Sequence, residues 1–270
     1  MLKNKFKLLA LIFIQVLFFS CTKNSNDNLD QNEKFEAFDP LTQAEVKFVH
    51  AYTPLTLNGG STTAIGLRLL MNGNKVNGST NISSLINSLI YGGIFPATAA
   101  YSFLNAGSQN IKFVMNRITS GNFAPLTGDE IFNDNLTFDK GKKYSIFLAD
   151  PYPSPGVFMI EDNYQKPGEN EFGLRFINLC GDVTSRFDLV SARQGVLFSD
   201  VGNKEIKNYV YLTISQSLTD TLQLRLTGTT NIVSQVNSFN AGKQRVYTFY
   251  ARGKTGVTGR TPGLTFYTNR

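Results

Sequence analysis

The sequence predicts an all-β chain carrying two tandem β-sandwiches behind an N-terminal leader, and three observations predict it. The 22 Phe and 11 Tyr, with 23 Gly and many Thr, Ser and Asn, favour strands and tight turns over helices. Short alternating runs recur along the chain, as in Val46-Lys47-Phe48, which puts Lys47 on the opposite face as a strand with one buried side would, and they are punctuated by turn signals such as Asn72-Gly73 and Asp139-Lys140-Gly141. The second half then repeats the first in order. Leu174-Arg175-Phe176-Ile177-Asn178 lies against Val46-Lys47-Phe48-Val49-His50, and Phe187-Asp188-Leu189-Val190 against Leu67-Arg68-Leu69-Leu70. Leu222-Gln223-Leu224-Arg225-Leu226 matches Ile111-Lys112-Phe113-Val114-Met115, and Phe239-Asn240-Ala241-Gly242-Lys243 matches Phe138-Asp139-Lys140-Gly141-Lys142. Two copies make a domain pair and not a solenoid, which needs three or more units to bury its faces.

The leader comes first. Lys3, Lys5 and Lys7 precede an apolar run from Leu8 to Phe19 broken only by Gln15, the charged-then-apolar layout of a secretory signal. At about a dozen residues this run is shorter than the roughly 20 needed to span a bilayer as a helix. Ser20-Cys21 closes it, and the segment resembles a bacterial lipoprotein signal. It departs from the usual pattern in placing Phe18 and Phe19 before the small residue, as Phe-rich versions from Bacteroidota do. The resemblance implies a signal peptide over 1–20, a lipid-bearing N-terminus at Cys21 and attachment to the outer membrane. A plain cleaved signal with a bystander cysteine stays open. Residues 21–43 read as a tether, because Thr22 to Asn32 is polar except for Leu29 and cannot offset its own ordering entropy. Only Asp27 and Asp30 supply acid there, so the membrane face, periplasmic or surface-exposed, is open.

Charge and cysteine usage narrow the function classes. The formal charge of +6 includes the three leader lysines, so the exported part carries about half of it, too little to point to nucleic acid as a partner. With Cys21 lipidated, Cys180 has no intramolecular disulfide partner, and the fold must stand on its apolar core.

The body is expected as a first sandwich over 44–150, a Pro-rich linker over 151–170 (Pro151, Pro153, Pro155, Pro167) and a second sandwich over 171–270. Each half is expected to own a core. Asn72-Gly73 suits a type I′ hairpin turn, since both residues tolerate positive φ. One segment breaks the strand texture: Ile82, Leu85, Ile86, Leu89 and Ile90 fall at helical spacing, with Gly92-Gly93 to stop them, and predict a short amphipathic helix near 80–91.

The opening strand Val46 to His50 with Ala51-Tyr52-Thr53-Pro54, the Asn72-Gly73 turn, Tyr91-Gly92 and the closing Gly141-Lys142-Lys143-Tyr144 resemble the domain of unknown function 4397 family, across nearly all of Ala44 to Ala251. The resemblance implies immunoglobulin-like sandwiches and no established chemistry. The second copy departs from it, with Asn178-Leu179-Cys180-Gly181 in place of His50-Ala51-Tyr52-Thr53.

Chemistry is sparse. His50 is the one histidine, which excludes multi-histidine metal sites and leaves a single base for any Ser-His-Asp triad. Gly-x-Ser-x-Gly is missing, so His50 is read as bonding a turn, and Cys180 as a half-buried thiol. Glu161-Asp162 with Glu169 and Glu171 are read as a solvated acidic stretch, since no calcium-loop spacing is present. No catalytic residue, metal or cofactor is expected. Candidate ligand contacts are Tyr152 and Tyr164 in the linker, able to stack on sugar or to pack the halves together, and Arg245, Arg252 and Lys254 from the acid-free stretch after Asp220. The expected function is that of a non-enzymatic envelope lipoprotein. It would present two sandwiches for binding, of acidic polysaccharide or another envelope protein, or serve as a structural spacer. The rival class is a glycan or ester hydrolase using scattered acids such as Asp188 or Asp200.

Overall fold

The computed structural model describes residues 38–51, 66–77, 89–97, 99–116, 130–150, 155–214, 219–257 and 259–270. Cys21 and Tyr152 lie outside them. The chain divides into two units, Met1–Asp39 and Pro40–Arg270. The second unit is all-β among its described residues and contains two β-sandwiches.

In the first, β1 (Gln43–His50), β9 (Lys143–Ala149) and β10 (Gly156–Glu161) form a sheet ordered β10-β9-β1. The far edge of β1 is shared by β5 (Ile94–Phe95) and β6 (Ser102–Asn105). Against this sheet lies another, with β3 (Asn74–Lys75), β2 (Gly66–Met71), β7 (Gly107–Asn116) and β8 (Glu130–Phe138) in that order, and β4 (Leu89–Ile90) on β2. Val46, Phe48, Ile146 and Leu148 from one sheet and Leu67, Leu69, Ile111 and Phe113 from the other are fully buried between them. The Asn72-Gly73 turn joins β2 to β3 with φ of 48° and 80°, the double positive φ that a two-residue hairpin loop needs.

The second sandwich retraces the first. One sheet is ordered β14 (Ile206–Thr213), β11 (Glu171–Asn178), β17 (Val246–Arg252), β18 (Gly263–Thr268). The other runs β13 (Gly195–Val201), β12 (Phe187–Ser191), β15 (Thr219–Leu226), β16 (Ile232–Asn240). Even the central parallel pairs agree: Val46 sits opposite Tyr144 in β1/β9, and Leu174 opposite Tyr247 in β11/β17. Both tyrosines anchor the turn leading into their strand. The Asp139 N–H donates to the Tyr144 hydroxyl at 3.1 Å and the Gly242 N–H to the Tyr247 hydroxyl at 2.8 Å, an arrangement akin to the tyrosine corner of immunoglobulin-like sandwiches. Phe138 and Phe239 meet these tyrosines edge-to-face at 5.4 and 5.0 Å.

Three expectations need correction. Leu89 and Ile90, the end of the expected helix near 80–91, are strand residues opposite Leu67 and Gly66, where Leu89 reaches the first core; the earlier part of that pattern lies outside the described residues. The expected linker over 151–170 contains β10, which pairs with β9 from Gly156 to Glu161 and completes the first sheet. Finally, β1 does not bury one side only. A third apolar cluster, with Val49, Phe147, Ile160, Ile177, Tyr250 and Tyr267, packs the β1/β9 sheet against the β11/β17 sheet, so four β-layers stack in one unit and the central strands are buried on both faces.

Candidate functional site

The seam between the two inner sheets holds three buried charged groups, Lys47, Asp162 and Arg175. Lys47 and Arg175, aligned in the two halves, point into it and are 0% and 3% exposed. They make reciprocal contacts. The Lys47 ammonium donates to the Thr268 carbonyl at 3.3 Å, and the Arg175 guanidinium to the Glu161 carbonyl at 3.3 Å. β10 and β18 pair equivalently with β9 and β17, so these acceptors are themselves counterparts, and the seam has the self-complementary logic of a two-fold interface. Asp162 breaks the symmetry, because its counterpart is Asn269. At 4% exposure Asp162 pairs with Arg175, and its other oxygen accepts from Tyr101 at 2.7 Å and Ser145 at 2.6 Å. The Tyr267 hydroxyl donates to Ser145 at 2.6 Å, while Asn269 donates to Tyr101 and accepts from Thr248, which accepts from Arg175. The reading of Asp162 as a solvated acid is therefore corrected: the second sandwich closes over it.

One carboxylate serves two buried cations. Burial, only partly offset by Asp162, holds the Lys47 pKa down to about 8 from 10.5. Its ammonium also faces the rings of Tyr101 and Tyr267 at 4.8 and 5.6 Å. Between pH 8 and 10.5 the folded chain has lost a proton that the unfolded chain keeps, so wild-type stability gains from this residue as pH rises across that window; below it the cost of the buried charge is fully present. Lys47→Met should therefore be more stable than wild type at pH 7, by about 1–3 kcal/mol, with the advantage shrinking toward zero by pH 10.5. Urea unfolding of both proteins across this range checks it, and a pH-independent difference would contradict the assignment.

Those of the expected ligand residues that are described, Tyr164, Arg245, Arg252 and Lys254, do not form one patch. Tyr164 is half-buried beside the seam, its hydroxyl donating to the Asn269 carbonyl at 3.0 Å and its ring edge-on to Tyr209 at 5.8 Å. Arg245 precedes β17 and Arg252 ends it, which separates them by about 23 Å of extended strand. Arg252 and Lys254 instead sit with Arg260, a residue the expectation omitted. The Arg252 and Arg260 guanidinium carbons lie 4.1 and 4.2 Å from the centroid of Tyr91, which projects from the first sandwich, and His50 meets the same ring edge-on at 5.8 Å. Gly92, at φ +79°, suits this spot because a Cβ there would stand 2.7 Å from Arg252. The described residues that follow β17 are strapped down: the Lys254 N–H donates to the Arg260 carbonyl, the Arg260 N–H to the Val257 carbonyl, the Gly181 N–H to the Gly253 carbonyl, and the Thr255 N–H to the Asp182 carboxylate. Among the described residues none of the three cations has an ion-pair partner.

Other groups are committed to architecture. Asp188 accepts from the Asp200 N–H, the Thr227 hydroxyl and the Gly228 N–H, and Asp200 pairs with Arg186, so the two acids of the rival hydrolase reading tie strands and turns. His50 is buried, with its backbone bonded to Gly92 and Gly93. Cys180 is fully buried rather than half-buried, and burial pushes its thiol up. A shallow cavity of about 270 Å³ lies between Arg193, Asp220 and Ser238, where Asp220 accepts from Ser191 at 2.5 Å and Arg193 donates to the Thr219 carbonyl. Among the described residues no three His, Cys, Asp or Glu side chains gather as a metal site, and no helix is long and apolar enough to cross a membrane.

These features define an all-β, double-sandwich protein whose inner sheets meet across a buried polar seam. It belongs to the family described as domain of unknown function DUF4397, whose model matches residues 44–185. That match takes in the first sandwich and β11. No curated protein matches the chain. Among solved structures, the Bacillus anthracis TIE protein is 10% identical with a TM-score of 0.21, over 78% of this chain and 34% of that one. A family 26 carbohydrate-binding module of Eubacterium rectale Amy13K, solved with maltoheptaose, is 10% identical with a TM-score of 0.21 over 83% and 96%. A candidate cell adhesion protein of Bacteroides fragilis is 12% identical with a TM-score of 0.20 over 84% and 98%. Likenesses at this level carry no argument about function.

Proposed function

We propose that this protein is a non-enzymatic lipoprotein of the cell envelope, anchored in the outer membrane through Cys21. The second sandwich is a second copy of the family domain, and the two together form one body that binds an acidic surface polymer. The observation that carries this reading is the use made of the buried ionisable groups. Lys47, Asp162 and Arg175 join the sandwiches to each other, while Arg252, Lys254 and Arg260, without ion-pair partners among the described residues, stand half-exposed at one end of β17. Supporting the anchor is the Ser20-Cys21 junction after the apolar run.

Cys21→Ala should move the protein from the membrane fraction to the soluble one, and intact mass of the native protein should carry the added lipid. A native mass without lipid, or an N-terminus elsewhere, sinks the anchor. Purified protein should be retained on an anionic polysaccharide column at low salt and elute as salt rises, since screening shortens charge interactions to about 8 Å at physiological ionic strength. Turnover of a glycan or ester library would overturn the non-enzymatic reading.

A further inference from the structure

Resting on the reading above that the protein binds an acidic polymer, we infer that the anion is captured at one built site, the guanidinium pair of Arg252 and Arg260 over Tyr91 with Lys254 beside it, and not by dispersed surface charge. The ligand group is an oxyanion, the carboxylate or sulfate ester of an acidic polysaccharide.

Four observations converge on it. Both guanidinium carbons lie within 4.2 Å of the centroid of one ring, so the planar groups are held in place before any ligand arrives. A stacked guanidinium keeps its N–H edge available, and that edge matches two oxygens of one anion. The Arg252 Nε is spent on Thr265 at 3.0 Å and one of its terminal nitrogens packs against Gly92, while the Arg260 Nη1 donates to the Gly259 carbonyl at 3.2 Å, so both guanidinium groups are fixed in orientation and each keeps further N–H groups for an anion. Lys254, Val257 and Arg260 are tied to one another by backbone hydrogen bonds, so these residues have little ordering entropy left to lose on binding. Finally, no carboxylate among the described residues forms an ion pair with the three cations; the one acid nearby, Asp182, accepts from the Thr255 N–H and leaves the cluster net positive. A bound anion relieves the repulsion that remains among them. Because Tyr91 comes from the first sandwich and both arginines from the second, the site exists only when the two halves are packed together.

The test compares two double substitutions that remove the same charge from opposite ends of the second sandwich. Arg252→Gln with Arg260→Gln should lower affinity at least tenfold for polygalacturonate or dextran sulfate at fixed salt. Lys243→Gln with Arg245→Gln, at the far end of β17, should change it less than twofold. Lys254→Gln, which leaves the stacked pair intact, should give an intermediate loss of about threefold, and so covers the case in which the double arginine variant unfolds; thermal melts of all variants check this. Preference for polygalacturonate would assign a carboxylate, and preference for dextran sulfate a sulfate ester. Equal losses in the two double variants would overturn the site while leaving acidic-polymer binding in place. Absence of wild-type retention on both polymers, or equal retention on neutral dextran, would overturn the binding reading itself.

Discussion

Asp162→Ala is expected to cost the folded chain about 3–5 kcal/mol, because it leaves two buried cations without their one buried anion. In the wild type the carboxylate takes a charge-assisted bond from Arg175 and hydroxyl bonds from Tyr101 and Ser145, and Lys47 lies close enough to feel its charge. Alanine removes the charge and leaves those donors inside a layer from which water is excluded. The Lys47 pKa should drop further below 8, since the attraction that partly offsets its burial is gone. Urea unfolding at pH 7 measures the loss, and a cycle with Arg175→Met measures its origin. If the pair is the cause, the double variant is less damaged than the sum of the singles, by about 1–3 kcal/mol. Additive costs would mean that the seam is held by the apolar contacts around Phe147 and Tyr250, and that the ion pair contributes little.

Phe239→Ala should cost about 3–5 kcal/mol for a different reason, the cavity left in the second core. The Phe239 ring is met edge-on by Tyr247 at 5.0 Å, Phe249 at 5.1 Å, Phe266 at 5.2 Å and Phe172 at 6.1 Å, so four rings lose a neighbour at once. All four lie on the inner sheet, Tyr247 and Phe249 on β17, Phe172 on β11 and Phe266 on β18, while Phe239 itself lies near the end of β16 on the outer one. The ring thus staples the two sheets together. Phe239→Leu should recover most of the loss, to within about 1.5 kcal/mol of wild type, because volume matters more here than aromaticity. Denaturant midpoints at constant m-value test both variants. A loss below about 1.5 kcal/mol for the alanine variant would show that the neighbouring rings collapse into the space.

Much of the architecture was legible in the residues. Alternation in Val46-Lys47-Phe48, the positive-φ pair Asn72-Gly73 and the collinear matches between halves all rest on local stereochemistry, which the chain carries whatever it packs against. The seam was less legible, although a signal was present. Ile146-Phe147-Leu148, Phe48-Val49 and Phe176-Ile177 place apolar residues on both faces of a strand, the mark of a sheet covered on both sides. Read that way, Lys47 and Arg175 become interior residues, and an interior pair of cations calls for an acid. Asp162, in what looked like a solvated linker, is that acid. The helical spacing from Ile82 to Ile90 misled at its end, because Leu89 and Ile90 satisfy a short edge strand on β2 equally well, and period alone cannot separate the two in so brief a run.

The candidate site divides the same way. Composition singled out Arg252 and Lys254 because acids stop at Asp220, yet it grouped them with Arg245, which β17 carries to the opposite end. Arg260 and Tyr91 could not be joined to them from sequence, since 169 positions separate the tyrosine from the farther arginine in the numbering and only the packing of one sandwich on the other brings them together. By itself, then, the sequence determined the strand class and the hairpin turn, both of which follow from periodicity and the φ preferences of single residues. Tertiary structure alone decided which charges are buried and which converge, because burial and proximity depend on what the second sandwich lays over the first, and no local pattern encodes a neighbour a hundred residues away.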